Sequence, residues 1–281
     1  YEPAMFCSGV LANVYEEKTI FSTKDRDGIP FEEALTKSGF KGLKENRLKN
    51  GAAYVELHVE QGPVLETSNK HIGIVEGIVG MACLEISVKG QSNHAGTTPM
   101  QMRIDPLLAA ATFIDRLSES LRKINHDLVF TIGHFEVSPN LHTVIPEEVK
   151  FTLDMRHKSA GVLAQAKAMV LNILSEEERK TGCHFRQQVL WERKTVRFET
   201  SVTAAVAESA KKLNYSHRRI YSGAGHDAQF LAAMMPAGMI FVPSKDGKSH
   251  CEEEFTSIED CCRGANVLLQ TVLELDHQLN K

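Results

Sequence analysis

Apolar and polar residues alternate strictly over residues 53–60, which predicts a β-strand. Successive side chains of a strand point to opposite faces, so Val55 and Leu57 share one face. Glu56 and His58 share the other face. The pattern therefore predicts a strand with an apolar side for packing and a polar side that carries groups able to do chemistry.

The order of elements is clearest in the middle of the chain, over residues 83–195. Alternating residues predict strands there, and apolar residues at helical spacing predict helices. The predicted strands cover residues 84–89, 128–137, 149–156 and 185–191, and the predicted helices cover residues 105–121 and 160–180. This β-α-β-β-α-β order is the ferredoxin-like arrangement. We therefore predict a compact α+β domain in this part of the chain.

The flanking segments predict a second domain of the α/β class. A short apolar run at residues 239–243 fits a buried strand of a mostly parallel sheet. Residues 202–213 and 258–279 have apolar positions at helical spacing. We assign residues 1–82 and 196–281 to this domain, and the ferredoxin-like domain is predicted to be inserted into it.

Composition narrows the class of protein. The chain has 281 residues and a formal net charge of −4, so it lacks the basic excess of a nucleic-acid-binding protein. No apolar run approaches the roughly 18 residues that a membrane-spanning helix needs. The six cysteines form no CxxC pair, which argues against a disulfide framework and favours a reducing, cytoplasmic location. Neither nucleic acid nor a membrane is therefore an expected partner.

Two histidines follow predicted strands of the α/β domain. His58 lies near the end of the first strand, and His250 lies in the loop beyond the apolar run at residues 239–243. Ligands of open α/β sheets bind at strand ends, and a neutral imidazole is a common metal ligand. The alternative is that each is an ordinary surface or structural histidine.

A glycine-rich turn carries a third histidine. Gly225 and His226 lie within residues 222–228, directly before a predicted helix. Glycines allow close approach of a ligand to the backbone, and a helix start offers N–H groups to an anion. Alternatively, the glycines form only a tight turn, and Asp227 caps the helix.

Two further candidates lie in the ferredoxin-like domain. His94 belongs to a long polar loop at residues 90–100, and such loops often carry function. Arg156 ends a predicted strand, where its guanidinium could bind a carboxylate through two hydrogen bonds. A salt bridge with Asp154, two residues earlier, is the structural alternative.

Together these segments resemble one enzyme family. The motifs are Glu-Leu-His-Val-Glu-Gln-Gly-Pro at residues 56–63, the loop at 92–100 with Arg103 and Asp105, the turn at 222–228, and residues 239–244 with Ser249-His250. They are similar to motifs of allantoate amidohydrolases and N-carbamoyl-L-amino-acid hydrolases, which are dinuclear zinc aminopeptidase-like amidohydrolases. The resemblance covers nearly the whole chain.

The resemblance implies a three-layer catalytic domain of the zinc-aminopeptidase type with two divalent metal ions: zinc, or manganese, cobalt or nickel. His58 matches a ligand of one ion and His250 a ligand of the other. The family also has an earlier His-x-Asp motif, a bridging aspartate and a Glu-Glu pair. These have no counterpart in this sequence, so we expect the N-terminal part of the catalytic domain to be missing and the metal site to be incomplete.

The resemblance also assigns roles around the substrate. It implies that the inserted domain forms a homodimer and that His94 stabilises the transition state in the active site of a partner subunit. Arg156 matches the arginine that holds the substrate carboxylate. His226 and Gly225 match a substrate-binding loop.

Two positions close to the substrate in the family differ here. Met81 stands where relatives often have glutamine, and Thr143 stands where they often have asparagine. The expected reaction is metal-dependent hydrolysis of a linear C–N bond in an N-carbamoyl amino acid or an allantoate-like substrate that bears a carboxylate. The alternatives are an amide or peptide hydrolase of the same superfamily, or an inactive fragment that retains only dimerisation.

Overall fold

The computed structural model describes residue 1 and residues 4–279. These residues form two compact units, one from residues 1–78 with 196–281 and the other from residues 79–195. The helices are α1 (Phe6–Leu11), α2 (Glu17–Ser22), α3 (Phe31–Ser38), α4 (Val64–Thr67), α5 (Pro106–Ile124), α6 (Ala160–Thr181), α7 (Thr200–Lys212), α8 (Ala228–Leu231) and α9 (Ile258–Leu279). The strands are β1 (Tyr54–Val59), β2 (Ile72–Ile78), β3 (Gly80–Lys89), β4 (Asn93–His94), β5 (Val129–Ser138), β6 (Val144–Ile145), β7 (Glu148–His157), β8 (His184–Arg193), β9 (Val196–Arg197), β10 (His217–Ser222) and β11 (Ala237–Val242).

The first unit contains a mixed sheet with the strand order β1-β11-β2-β10, and β9 pairs with β2. Strands β1 and β11 run parallel, as do β10 and β2. Strands β11 and β2 run antiparallel, so the expectation of a mostly parallel sheet is only partly met. The parallel pairing brings the ends of β1 and β11 to the same edge of the sheet.

Helices α7 and α9 cover one face of this sheet. The buried core there includes Ile240, Val206 and Val267, and the apolar side chains Val55 and Leu57 of β1 pack against it. Full burial of such a side chain contributes roughly 1.5–3 kcal/mol. Because side chains alternate along β1, burial of its apolar residues directs Glu56 and His58 to the opposite face.

The second unit has the ferredoxin-like topology. Its sheet has the strand order β5-β7-β3-β8, and all three pairings are antiparallel. The core lies between this sheet and helices α5 and α6 and includes the fully buried Phe113, Phe151 and Leu153. Asp105 begins α5 by accepting hydrogen bonds from the N–H groups of Leu107 and Leu108.

The start of this unit differs from the sequence-based boundary at residue 83. Strand β3 begins at Gly80, and the unit begins at Val79. The first five residues of β3 are all buried, so the strand does not alternate where it starts. The alternation that predicted this strand begins at Leu84, the last of these five residues, which explains the shorter prediction.

Candidate functional site

The polar face of β1 carries a histidine with a defined tautomer. The Nδ1 atom of His58 lies 2.8 Å from the carbonyl oxygen of Val59. A carbonyl oxygen only accepts, so Nδ1 carries the proton in this contact. The Nε2 atom therefore keeps its lone pair, which is the group that a metal ion needs. A backbone carbonyl that orients a histidine in this way is typical of metal sites.

The turn between β10 and α8 brings a second histidine to the first. The rings of His58 and His226 meet edge to face with their centroids 4.5 Å apart. His226 is only 4% exposed. This burial, with a smaller contribution from His58, lowers the pKa of His226 to about 4. His226 is therefore neutral at pH 7 and can act as a lone-pair donor or as a neutral hydrogen-bond partner.

Ser222 defines which nitrogen of His226 faces the cluster. Its Oγ lies 2.9 Å from His226 Nε2 and donates a hydrogen bond of 2.9 Å to the carbonyl oxygen of Ala224. The N–H of Ala224 in turn donates to the same hydroxyl. The hydroxyl of Ser222 has one proton, and it donates that proton to the carbonyl oxygen of Ala224. The proton of the contact with His226 is therefore on Nε2, which donates to Ser222. The Nδ1 lone pair then lies 3.7 Å from Glu56 Oε1.

Glu56 completes the cluster. Its Oε2 accepts hydrogen bonds from the N–H of Ala228 at 3.0 Å and from the hydroxyl of Tyr54 at 3.1 Å. Burial raises the pKa of the Glu56 carboxyl, and these two hydrogen bonds oppose that shift. The carboxylate is therefore held in one orientation, with Oε1 directed to His226.

One part of the structural interpretation of the turn at residues 222–228, the capping of α8 by Asp227, is wrong. The side chain of Asp227 makes no capping hydrogen bond to α8. It accepts instead from Ser8 Oγ at 2.5 Å, while Glu56 takes the N–H of Ala228. A Cβ atom at Gly225 would lie 3.1 Å from Met5 Cε, so the missing side chain at this position makes room for Met5.

Glu56, His58 and His226 fit a divalent metal ion. One ligand atom from each lies within 4.8 Å of the other two, and the described part of the chain contains this one group of at least three such ligands. Two imidazoles and one carboxylate form a common ligand set of catalytic zinc. The lone pair of His58 Nε2 adds to this fit, and so do the hydrogen bonds that Ser222 makes with His226 and the N–H of Ala228 makes with Glu56.

His250 lies outside this group of three. It is in an exposed loop and has a left-handed backbone with φ of 58°. The Nε2 atoms of Gln61 and His250 are 3.2 Å apart, and the Gln61 N–H donates to Ser244 Oγ at 3.0 Å. Gln61 thus connects the His250 loop to the end of β1. The assignment of His250 as a metal ligand stays a prediction.

The sequence analysis placed Glu56 on the polar face of β1 but did not identify it as a possible metal ligand. Glu60, four residues later, has a structural role. The carboxylate of Glu60 accepts the N–H groups of Val64 and Leu65, each at 2.8 Å, and so caps α4. The position of Glu56 two residues before His58 was the available signal, because such residues share a strand face.

In the second unit, Met81 and Arg156 are direct neighbours on β3 and β7. Met81 is buried with 4% exposure. Arg156 binds Asp154 with two hydrogen bonds, Nε to Oδ1 at 2.6 Å and Nη2 to Oδ2 at 3.3 Å. The salt bridge considered from the sequence is therefore present, and it fixes the plane of the guanidinium.

The structure also brings His94 and Thr143 together. Strand β4 pairs with β6 with His94 opposite Val144, and the N–H of Ala95 donates to the carbonyl oxygen of Thr143 at 2.9 Å. His94 is exposed. Thr143 thus contributes its backbone to the His94 loop, and the candidates fall into two groups, one in each unit.

The first unit thus combines a mixed α/β fold with a histidine–carboxylate cluster that could hold a metal ion. Residues 28–274 match the family described as "Peptidase family M20/M25/M40", and the chain belongs to this family. Named relatives are amidohydrolases. An N-carbamoyl-L-amino-acid amidohydrolase from Paenarthrobacter aurescens is 36% identical over 98% of this chain and 69% of its own length. An allantoate amidohydrolase from Bacillus subtilis is 33% identical over 95% of this chain and 66% of its own length.

A solved amidase structure is also similar to this chain. A hydantoinase/carbamoylase family amidase from Burkholderia multivorans superimposes with a TM-score of 0.90 and 39% identity, over 98% of this chain and 67% of that chain. The chain thus spans about two thirds of the proteins that it matches. The predictions of the amidohydrolase family and of a hydrolytic enzyme are confirmed. None of the helices in the described residues is both long and apolar enough to cross a membrane.

Proposed function

We propose that the whole protein hydrolyses the linear C–N bond of an N-carbamoyl amino acid or of an allantoate-like ureido compound, with the help of bound divalent metal. The observation that carries this proposal is the convergence of Glu56, His58 and His226, whose ligand atoms lie within 4.8 Å of one another. The names of the relatives support the substrate class, since they are N-carbamoyl-L-amino-acid and allantoate amidohydrolases.

We assign one metal position to His58 through Nε2, together with Glu56 and His226. The resemblance gives His226 a substrate-binding role, and the contacts of Ser222 and Glu56 with it favour a ligand role as well. His250 is the proposed ligand of a second ion, and Gln61 ties its loop to β1. A metal bound here supplies Lewis acidity and a lowered pKa for a bound water.

Substrate recognition is assigned to the second unit. Arg156 is proposed to bind the substrate carboxylate, because Asp154 fixes its guanidinium and planar guanidinium groups bind carboxylates through two hydrogen bonds. Met81 lies buried beside Arg156 on the neighbouring strand and would contribute apolar packing to this subsite. Thr143 is proposed to contribute to the same subsite, and Gly225 is proposed to belong to a substrate-binding loop of the first unit.

His94 is proposed to donate a hydrogen bond to the oxygen on which negative charge develops, within a homodimer formed by the second unit. Preorganised donors at such an oxygen commonly account for about 10²–10³-fold in rate. Peptide hydrolysis has weaker support. The aminopeptidase PepT from Bacillus cereus is 18% identical with a TM-score of 0.64, which is a similarity of fold alone.

The proposal is tested by measuring metal content together with hydrolysis of N-carbamoyl amino acids and allantoate. His58→Ala should lose bound zinc or manganese and activity, whereas His126→Ala, which removes an exposed imidazole, should lose neither. Equal metal content in the His58→Ala protein and the wild type would refute the metal assignment. A protein that binds metal and dimerises yet hydrolyses neither substrate would favour the inactive alternative.

A further inference from the structure

The loop that follows β4 folds around the imidazole of His94. The N–H groups of Gly96 and Thr97 both point to His94 Nδ1, at 3.0 and 3.2 Å. The hydroxyl of Thr98 donates to the carbonyl oxygen of His94 at 2.8 Å. The ring and its own backbone are therefore both held by the next four residues of the chain.

These contacts determine the tautomer of His94. Backbone N–H groups only donate, so Nδ1 must accept and cannot carry a proton while the two hydrogen bonds exist. A neutral imidazole then carries its proton on Nε2. His94 is exposed, so this Nε2–H group is accessible to a ligand. In this state the side chain is a hydrogen-bond donor, not a general base.

Arg103 binds two carbonyl groups of this loop. Its Nε donates to the carbonyl oxygen of Thr98 at 3.0 Å, and its Nη2 donates to the carbonyl oxygen of Ala95 at 2.6 Å. Both carbonyls belong to the turn whose N–H groups bind His94. Hydrogen bonds from a charged guanidinium are stronger than those between neutral groups, and two from one planar group fix the spacing of the carbonyls.

Gly96 is the second requirement of this arrangement. A Cβ atom at this position would lie 3.3 Å from His94 Cε1 and 3.6 Å from His94 Nδ1. The first of these distances is tighter than ordinary contact, so a side chain here would push the ring away from the N–H groups. The loop therefore depends on the guanidinium of Arg103 outside it and on the absence of a side chain inside it.

We infer that Arg103 is a positioning residue, which holds the loop of residues 94–98 so that His94 presents its Nε2–H as a neutral donor to an oxygen atom of the substrate. The placement of the ring follows from the contacts of the loop alone. The use of that donor in catalysis rests on the proposed function.

The tautomer can be measured directly. Long-range ¹H–¹⁵N spectra of the protein with ¹⁵N-labelled histidine distinguish protonated from unprotonated ring nitrogens, and the signals that vanish in His94→Ala identify this residue. The wild type should show an unprotonated Nδ1 and a protonated Nε2. Arg103→Ala should give a mixture of tautomers. Arg103→Lys should restore the wild-type tautomer only in part, because one ammonium cannot reproduce two N–H groups at fixed spacing.

Arg122→Ala is the matched control, since it removes an exposed arginine from the last turn of α5. Gly96→Ala tests the same ring placement without altering Arg103 and should also mix the tautomers. In the active whole protein, Arg103→Ala should lower kcat by about 10- to 100-fold and change KM much less. The Arg122→Ala control should change neither kcat nor the tautomer.

The outcomes separate the inference from the proposed function. An unchanged His94 spectrum in Arg103→Ala would refute the positioning role, whether or not the protein is active. Mixed tautomers with an unchanged kcat would refute the use of this donor in catalysis. A wild type without hydrolytic activity would overturn the proposed function, and the spectra would still decide whether Arg103 sets the tautomer.

Discussion

His58 and His226 come from distant parts of the chain and meet edge to face, with ring centroids 4.5 Å apart. Burial is the main cause of the lowered pKa of His226, and the proximity of His58 adds to it. Their partners, Val59 and Ser222, use one nitrogen of each ring. The other nitrogen of each ring and the carboxylate of Glu56 are available to bind the same metal ion.

The first prediction concerns the pH dependence of stability. Burial lowers the pKa of His226 to about 4 from the ordinary value of 6.5. Between these values the unfolded chain binds the proton and the folded chain does not. Folding is therefore progressively disfavoured as the pH falls through this window. Relative to His226→Gln, the wild type should lose on the order of 3 kcal/mol of unfolding free energy between pH 7 and pH 4.

Denaturant unfolding of both metal-free proteins across this pH range measures the difference. Glu56 has a raised pKa, which acts in the opposite direction, but it is present in both proteins and largely cancels. A His126→Gln control accounts for the loss of an imidazole as such. A difference between wild type and His226→Gln that does not change with pH would contradict the prediction.

A second prediction concerns Ser222, which is 1% exposed. Ser222→Ala removes the partner of His226 Nε2 and should lower the free energy of unfolding by about 1–3 kcal/mol. It should also weaken zinc binding by about 10- to 100-fold, because the ring loses the contact that sets its tautomer. Titration with zinc and thermal unfolding check both effects.

Ser201→Ala, at an exposed position of α7, is the matched control and should resemble the wild type in both measurements. Equal zinc affinity in Ser222→Ala and Ser201→Ala would contradict a ligand role of His226 that depends on Ser222. It would favour the substrate-binding role that the resemblance implies.

A third prediction concerns the pairing of β2 with β9. A Cβ atom at Gly77 would lie 2.2 Å from the carbonyl oxygen of Val196 and 3.2 Å from Arg197 Cα. These are backbone atoms of the paired strand, so Gly77→Ala should force the strands apart and cost about 1–3 kcal/mol. In the same unit, Gly223→Ala meets nothing within 4 Å and should be close to neutral. Similar unfolding midpoints for the two variants would contradict this.

Elements with a regular pattern were predictable, and contacts between distant segments were not. The alternation of β1 placed Glu56 and His58 on one face, and the order of elements gave the ferredoxin-like topology of residues 79–195. His226 was recognised by its glycine-rich turn, but its contact with His58 depends on the tertiary packing of α8, which follows this turn, against β1. No local pattern encodes such a contact.

The alternation of strand β7 also explains why the ion pair of Arg156 was predictable and its role in substrate binding was not. Asp154 and Arg156 are two residues apart on β7, so the alternation of a strand already brings them together. The ion pair could therefore be inferred from the sequence. Whether the guanidinium also binds a substrate carboxylate depends on what approaches it, which the strand pattern does not contain.

The last prediction addresses Arg156 by changing its geometry and keeping its charge. Arg156→Lys replaces a planar group, which makes two hydrogen bonds to Asp154, by a single ammonium. If Arg156 binds the substrate carboxylate, the KM for an N-carbamoyl amino acid should rise by about 10-fold or more, with a smaller change in kcat. Arg179→Lys, in the last turn of α6, is the matched control and should leave both constants unchanged.

The amide of the same substrate, which lacks the carboxylate, should be a poor substrate for the wild type and should lose little further in Arg156→Lys. An equal loss for the acid and the amide would show that Arg156 supports the sheet through Asp154 and does not contact the carboxylate.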